Sequence, residues 1–179
     1  DVTVYLDSTN GADTNDGLTE ATPVKTLDQA HAVMEEILAV TPEGIAGKIV
    51  LLSSYTLPSE KVVLPAHSYP LEITAKNAAN GLIYPGGSSE STSVVMMGGD
   101  TTLSHMTVTL QGNQSNNFLG AAGHKLVISQ GVTCVANTKG AYFSVCGGGY
   151  NGTYNSVDVT VLSGYWNTVY AGGYMSGVT

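Results

Sequence analysis

The sequence is short of charge. Asp, Glu, Lys and Arg make up 11% of its 179 residues, against about 25% in an ordinary soluble domain. Basic side chains are scarcest: 6 against 14 acidic ones, for a formal charge of −8. Such a surface repels phosphate backbones, so nucleic acid is not an expected partner. No apolar run reaches the roughly 18 residues that a membrane span requires, which excludes membrane insertion by a helix. The only cysteines are Cys134 and Cys146. No histidine stands at ligand spacing from them, so a structural zinc site is not expected. They are left as a disulfide or as small core residues.

What the chain does have is glycine (22 residues) with abundant Ser, Thr and Asn. Small polar and β-branched residues in this proportion suit short strands and tight turns. Val2 to Leu6 alternates as a strand, and Asp7 to Pro23 is a polar loop dense in Asn, Asp and Gly. One helix is expected over residues 26–40. Thr26 caps it, Gln29 completes a capping-box pattern, and Leu27, Ala30, Met34, Ile37 and Leu38 form one apolar face. Pro42 ends it.

From residue 48 to 179 every segment reads as strand: Lys48 to Leu52, Lys61 to Leu64, Leu71 to Thr74, Leu103 to Leu110, Lys125 to Ser129 and Val157 to Leu162. An apolar pair ending in small residues recurs at Gly98, Ala122, Gly147 and Gly172, spaced 24, 25 and 25 residues apart. A period in the twenties marks a solenoid in which each repeat is one coil. The strands are too closely spaced for crossover helices. An antiparallel sandwich is the alternative. Residues 1–179 thus read as one domain: a leading strand and loop over 1–25, the helix as a lid on the first coil, then coils. Val178-Thr179 looks like the start of a further strand, which predicts a piece of a longer protein.

The stretch VYLDSTNGADTNDGLTEATPVKTLDQA carries Gly11, Asp13, Asn15, Asp16, Gly17, Pro23, Lys25, Thr26, Leu27 and Ala30. It resembles the N-terminal segment of pectate-lyase-like right-handed parallel β-helix proteins. There a strand leads into a loop of the form G-x-D-x-N-D-G … P-x-K-T-L … A and then a capping α-helix. The family-nine pectate lyases and related secreted proteins are nearest in kind. The later VTVLSG…TVYAGGY resembles Gly-rich β-helical repeats in surface proteins of gut bacteria. The resemblance implies an all-β right-handed solenoid with an N-terminal capping helix. It also implies an extracellular location, secreted or attached to a bacterial surface, and a polysaccharide or a host or cell-surface glycan as partner.

Catalysis is not expected of this chain. Lyases of that family use clustered aspartates holding calcium and a Lys or Arg base. Here the acidic residues of the coils are Glu60, Glu72, Glu90, Asp100 and Asp158, none adjacent to another. Glu72 and Asp100 become neighbours only if their coils stack, about 4.8 Å apart. His31, His67, His105 and His124 form no triad and read as structural or surface residues, and Met96-Met97 reads as core.

Two candidate sites remain. Asp7, Asp13, Asn15 and Asp16 supply hard oxygen ligands within ten residues, a candidate calcium site without EF-hand spacing. The plain alternative is a loop whose carboxylates accept backbone N–H bonds. Eight of the 13 aromatic residues follow residue 140. Tyr150, Tyr154, Tyr165, Trp166 and Tyr174 are the candidate carbohydrate contacts, since flat apolar faces with polar rims suit sugars. Alternation predicts that one of Tyr165 and Trp166 points outward. The expected function is a noncatalytic extracellular β-helix module that binds a polysaccharide. The alternatives are part of a polysaccharide lyase or glycoside hydrolase, or a structural adhesin stalk.

Overall fold

A computed structural model describes residues 1–86, 92–150, 152–154 and 156–173, and the backbone of 177–178. The chain opens with strand β1 (Val2–Leu6) and helix α1 (Leu27–Leu38). Four coils of three strands follow. They are β2 (Gly47–Leu51), β3 (Tyr55–Thr56) and β4 (Lys61–Val63); then β5 (Leu71–Ala75), β6 (Leu82–Tyr84) and β7 (Thr92–Met96). The third holds β8 (Thr101–Ser104), β9 (Met106–Leu110) and β10 (Asn116–Gly120), and the fourth β11 (Lys125–Ile128), β12 (Val132–Val135) and β13 (Ser144–Cys146). After β14 (Thr153–Tyr154) come β15 (Asp158–Val161), β16 (Val169–Tyr170) and β17 (Gly177–Val178).

Like strands of successive coils stack into three sheets: β1-β2-β5-β8-β11-β15, β3-β6-β9-β12 and β4-β7-β10-β13-β16. Strands β14 and β17 make a small fourth sheet. Every strand pairing among the described residues is parallel. The fold is a parallel β-solenoid, and the antiparallel sandwich is ruled out.

The register explains why. Val4, Ile49, Ile73, Leu103, Ile128 and Val161 lie on one line across the six-stranded sheet. The first five are fully buried. Each aliphatic side chain withdrawn from water contributes about 1.5–3 kcal/mol, and a one-residue slip turns the whole line outward. Helix α1 closes the first end of this column. Leu27, Ala30 and Met34 join the core over Val4 and Leu6, while Ile37 and Leu38 stay half-buried. Thr26 has extended backbone (φ −116°, ψ 154°), and its hydroxyl accepts from the Gln29 N–H at 3.2 Å, a working N-cap. At the last coil, Val159, Val161 and Trp166 pack on the core only partly buried.

Two sequence expectations are corrected. Leu103 to Leu110 is not one strand. His105 takes φ +43° and turns a corner between β8 and β9, which belong to different sheets. The small-residue repeat is also off by one. Gly120 pairs with Met96 and Cys146, and Cys146 with Tyr170, so Gly98, Ala122, Gly148 and Gly172 are the equivalent positions. Gly147 falls one short of its rung position because the coil from β10 to β13 is longer than its neighbours: Gly120 to Cys146 is 26 positions, against 24 from Met96 to Gly120 and 24 from Cys146 to Tyr170. Cys134 lies on β12 as a free thiol and Cys146 on β13 in another sheet.

Candidate functional site

The six-stranded sheet exposes its outer face across several coils. In-register pairing sets Lys48, Glu72, Thr102 and Val127 in one outward row. Beside it, Pro70 and Asp100, just before β5 and β8, and Lys125, the first residue of β11, lie along the rim. Glu72, Thr102, Val127, Pro70, Asp100 and Lys125 line an open groove of about 370 Å³ that runs across the strands.

Its charges are fixed in place. Lys48 Nζ lies 2.8 Å from Glu72 Oε2, and the Ser104 hydroxyl donates to Glu72 Oε1. Partial burial pushes the Glu72 carboxyl up, but the bonds from Lys48 and Ser104 and the charge of Lys48 outweigh it, leaving it below the usual value. One carboxylate oxygen of Asp100 accepts the Lys125 backbone N–H at 2.9 Å. A general acid of a glycosidase must hold its proton near neutral pH. Glu72 does the reverse. It is an anion and a hydrogen-bond acceptor, suited to hydroxyl groups.

The acidic loop is built as a set of local staples. Asp7 accepts from the N–H groups of Thr9 (3.0 Å) and Asn10 (3.1 Å) and from the Ser53 hydroxyl (2.7 Å). Asp13 accepts from the N–H groups of Lys25 (2.8 Å) and Thr26 (2.9 Å) and from the Thr26 hydroxyl (2.9 Å). Asp16 takes the Thr22 hydroxyl and the Leu18 N–H, and the Asn15 amide donates to the Pro23 carbonyl. Burial raises the carboxyls of Asp7 and Asp13, but these bonds outweigh it and lower both. In Asp16 the Thr22 hydroxyl leads the same downward shift. No group of three His, Cys, Asp or Glu placed to hold a metal occurs among the described residues.

Asp13 thereby ties the loop to the helix cap, since the Thr26 hydroxyl that it orients also caps α1. Replacing Asp13 by Ala is expected to cost about 1 kcal/mol through the lost cap and N–H acceptors. Thermal melts should show the same drop with calcium added and with chelator. A drop confined to calcium-containing samples would restore the metal reading.

The candidate aromatics separate into two places. The segment after β13 folds back over the outer face of the β4-β7-β10-β13-β16 sheet, where Val94, Met96, Phe118 and Cys146 form a second buried cluster. Tyr150 stacks on Phe118 (centroids 5.5 Å, 26°) with the Lys61 ammonium 5.8 Å above its ring, and Tyr154 packs alongside. These rings are covering an apolar sheet face. Elsewhere, Tyr165 is 66% exposed and meets Tyr142 at 4.5 Å. Trp166 turns to the core and donates to the Ser163 carbonyl at 2.8 Å. Tyr174 lies outside the described residues.

The sequence reading missed Lys48, Lys125, Thr102 and Pro70, which come together only through coil register. The signal available was the lysine–glutamate pair at the 24-residue spacing, Lys48 and Glu72. No protein-family description, curated protein or solved structure matches this chain.

Proposed function

We propose that this chain is a noncatalytic extracellular β-helix module that binds a neutral polysaccharide along the groove of the six-stranded sheet. The groove itself carries the reading. A polymer laid across the strands meets an equivalent outward position once per coil, about every 4.8 Å. There it finds carboxylates, a lysine and threonines that pair with hydroxyls, beside the flat apolar edges of Pro70 and Val127. Such a mix of apolar wall and convergent polar groups is what ligand sites are made of. Glu72 and Asp100 would repel a polyuronate, so a neutral chain is favoured over pectate. The resemblance to pectate-lyase-like proteins supplies the secreted or bacterial-surface setting.

The test is affinity electrophoresis in galactomannan, xyloglucan, mixed-linkage β-glucan and polygalacturonate. Retardation is expected in at least one neutral gel and absent in polygalacturonate. Glu72→Gln and Asp100→Asn should each weaken it about tenfold, the worth of one charge-assisted hydrogen bond. Tyr165→Ala should leave it unchanged if the groove is the site. Retardation lost with Tyr165→Ala and kept with Glu72→Gln would move the site to the aromatic pair. Unsaturated products appearing in the ultraviolet with polygalacturonate would replace binding with a lyase.

A further inference from the structure

Three rings connect the helix lid to the wall of the groove. His31, on α1, is 97% buried, and its Nδ1 lies 3.4 Å from the Tyr69 hydroxyl. Its Nε2 has no hydrogen-bond partner among the described residues. The His67 ring sits 5.3 Å from that of His31 and 5.0 Å from that of Tyr69. His67 in turn reaches the groove: its Nε2 is 3.3 Å from the Asp100 carbonyl and its Nδ1 3.1 Å from the Pro65 carbonyl. Asp100 lines the groove, as does Pro70, the residue after Tyr69. A side chain at Gly99 would clash with the His67 ring at 2.6 Å, so the ring is wedged against the backbone that carries Asp100.

We propose that this stack is an acid switch on the groove: a proton on His31 parts α1 from the 65–70 segment and pulls the Asp100 wall out of shape, releasing the ligand. The inference rests on the reading of the groove as a binding site. Its logic is electrostatic. Among the described residues, no carboxylate accepts a hydrogen bond from His31. The groups facing it from the 65–70 segment are His67, which repels an added charge, and Tyr69, whose phenol is itself held protonated by burial and by Glu35 of α1. Strand β1 beneath the helix offers Tyr5 and no acid or base. Asp100 turns its carboxylate to the Lys125 N–H instead.

Burial first, and His67 second, lower His31 from 6.5 to about 4. The closed state therefore binds fewer protons than an opened one with ordinary histidine, and acid favours opening. Between about pH 7 and about pH 5 the opening equilibrium should rise about 20-fold.

Hydrogen exchange at these two pH values, corrected for intrinsic rates, reads this directly. In the wild-type chain, residues 65–72 and 98–102 should open about 20-fold more in acid while 144–146, in another sheet, stay unchanged. In His31→Leu the acid response should vanish. Equal acceleration in both proteins, or none in the wild type, overturns the switch. Should His31→Leu not fold, the wild-type ring titration by NMR decides: the His31 midpoint must coincide with the shift of the Asp100 amide, and separate midpoints reject the idea. Affinity for galactomannan, xyloglucan and mixed-linkage β-glucan measured in the same buffers is the second arm. Binding to none of the three at pH 7 removes the groove reading, whereas the exchange result still decides the switch.

Discussion

Phe143→Ala should lower the stability of this protein by about 3–5 kcal/mol, the range for emptying a buried aromatic site. Phe143 is 2% exposed and meets the edge of Tyr84 with ring centroids 4.1 Å apart at 61°. The two rings come from β6 and from the segment just before β13, and both are buried in the core. Alanine leaves a void that neighbouring rungs cannot close, because each is fixed above and below by its backbone ladder. The Tyr84 hydroxyl sharpens the test. It is buried without a hydrogen-bond partner among the described residues, so Tyr84→Phe should be neutral or stabilising while Phe143→Ala is severe. Urea midpoints of the three proteins check both. A Phe143→Ala cost below about 1 kcal/mol would mean that the column collapses around gaps, contrary to the register described.

The second large effect is loss of stability in weak acid. The neutral form of His31 is favoured in the folded chain, with its value lowered from 6.5 to about 4. Its contribution is present in full above the unfolded value of about 6.5 and is lost progressively as pH falls toward about 4. The integrated loss is about 3 kcal/mol, at about 1.4 kcal/mol per unit. The staple carboxylates act lower. Asp7, Asp13 and Glu72 are lowered from ordinary values of 3.8, 3.8 and 4.5, so their contribution is lost as pH falls below that range. Urea midpoints followed from about pH 7 to about pH 5 should fall for the wild type and stay level for His31→Leu. A wild type that is equally stable across this interval would show that His31 carries its charge within the fold.

The coil architecture could be read along the chain. Alternation at Val2 to Leu6 and at Lys48 to Leu52, the Thr26 cap and the small residues at Gly98, Ala122 and Gly172 are local signals, and the fold uses each where it was expected. The corner at His105 was hidden, because Leu103 to Leu110 keeps strand-like composition straight through the turn. The Gly147 shift was hidden for a related reason: rung equivalence follows hydrogen bonding between coils, and the coil leading from β10 into β13 carries two extra residues. The four acidic-loop residues stood out in sequence as a candidate calcium site, and the structure gives three carboxylates and one amide to loop and cap bonds. Tyr150 and Tyr154 looked like surface rings, yet they cover Met96 and Phe118, residues some 30 to 60 positions away.

Sequence alone, then, dictated the repeating unit and its lid, since period, β-branching and capping chemistry act between residues close along the chain. The groove, the covered outer face and the buried His31–His67–Tyr69 stack were decided by tertiary structure. Their members lie tens of residues apart, and only the register of stacked coils, set by the total length of each turn, brings Lys48 to Glu72, Asp100 to Lys125 and His67 to His31.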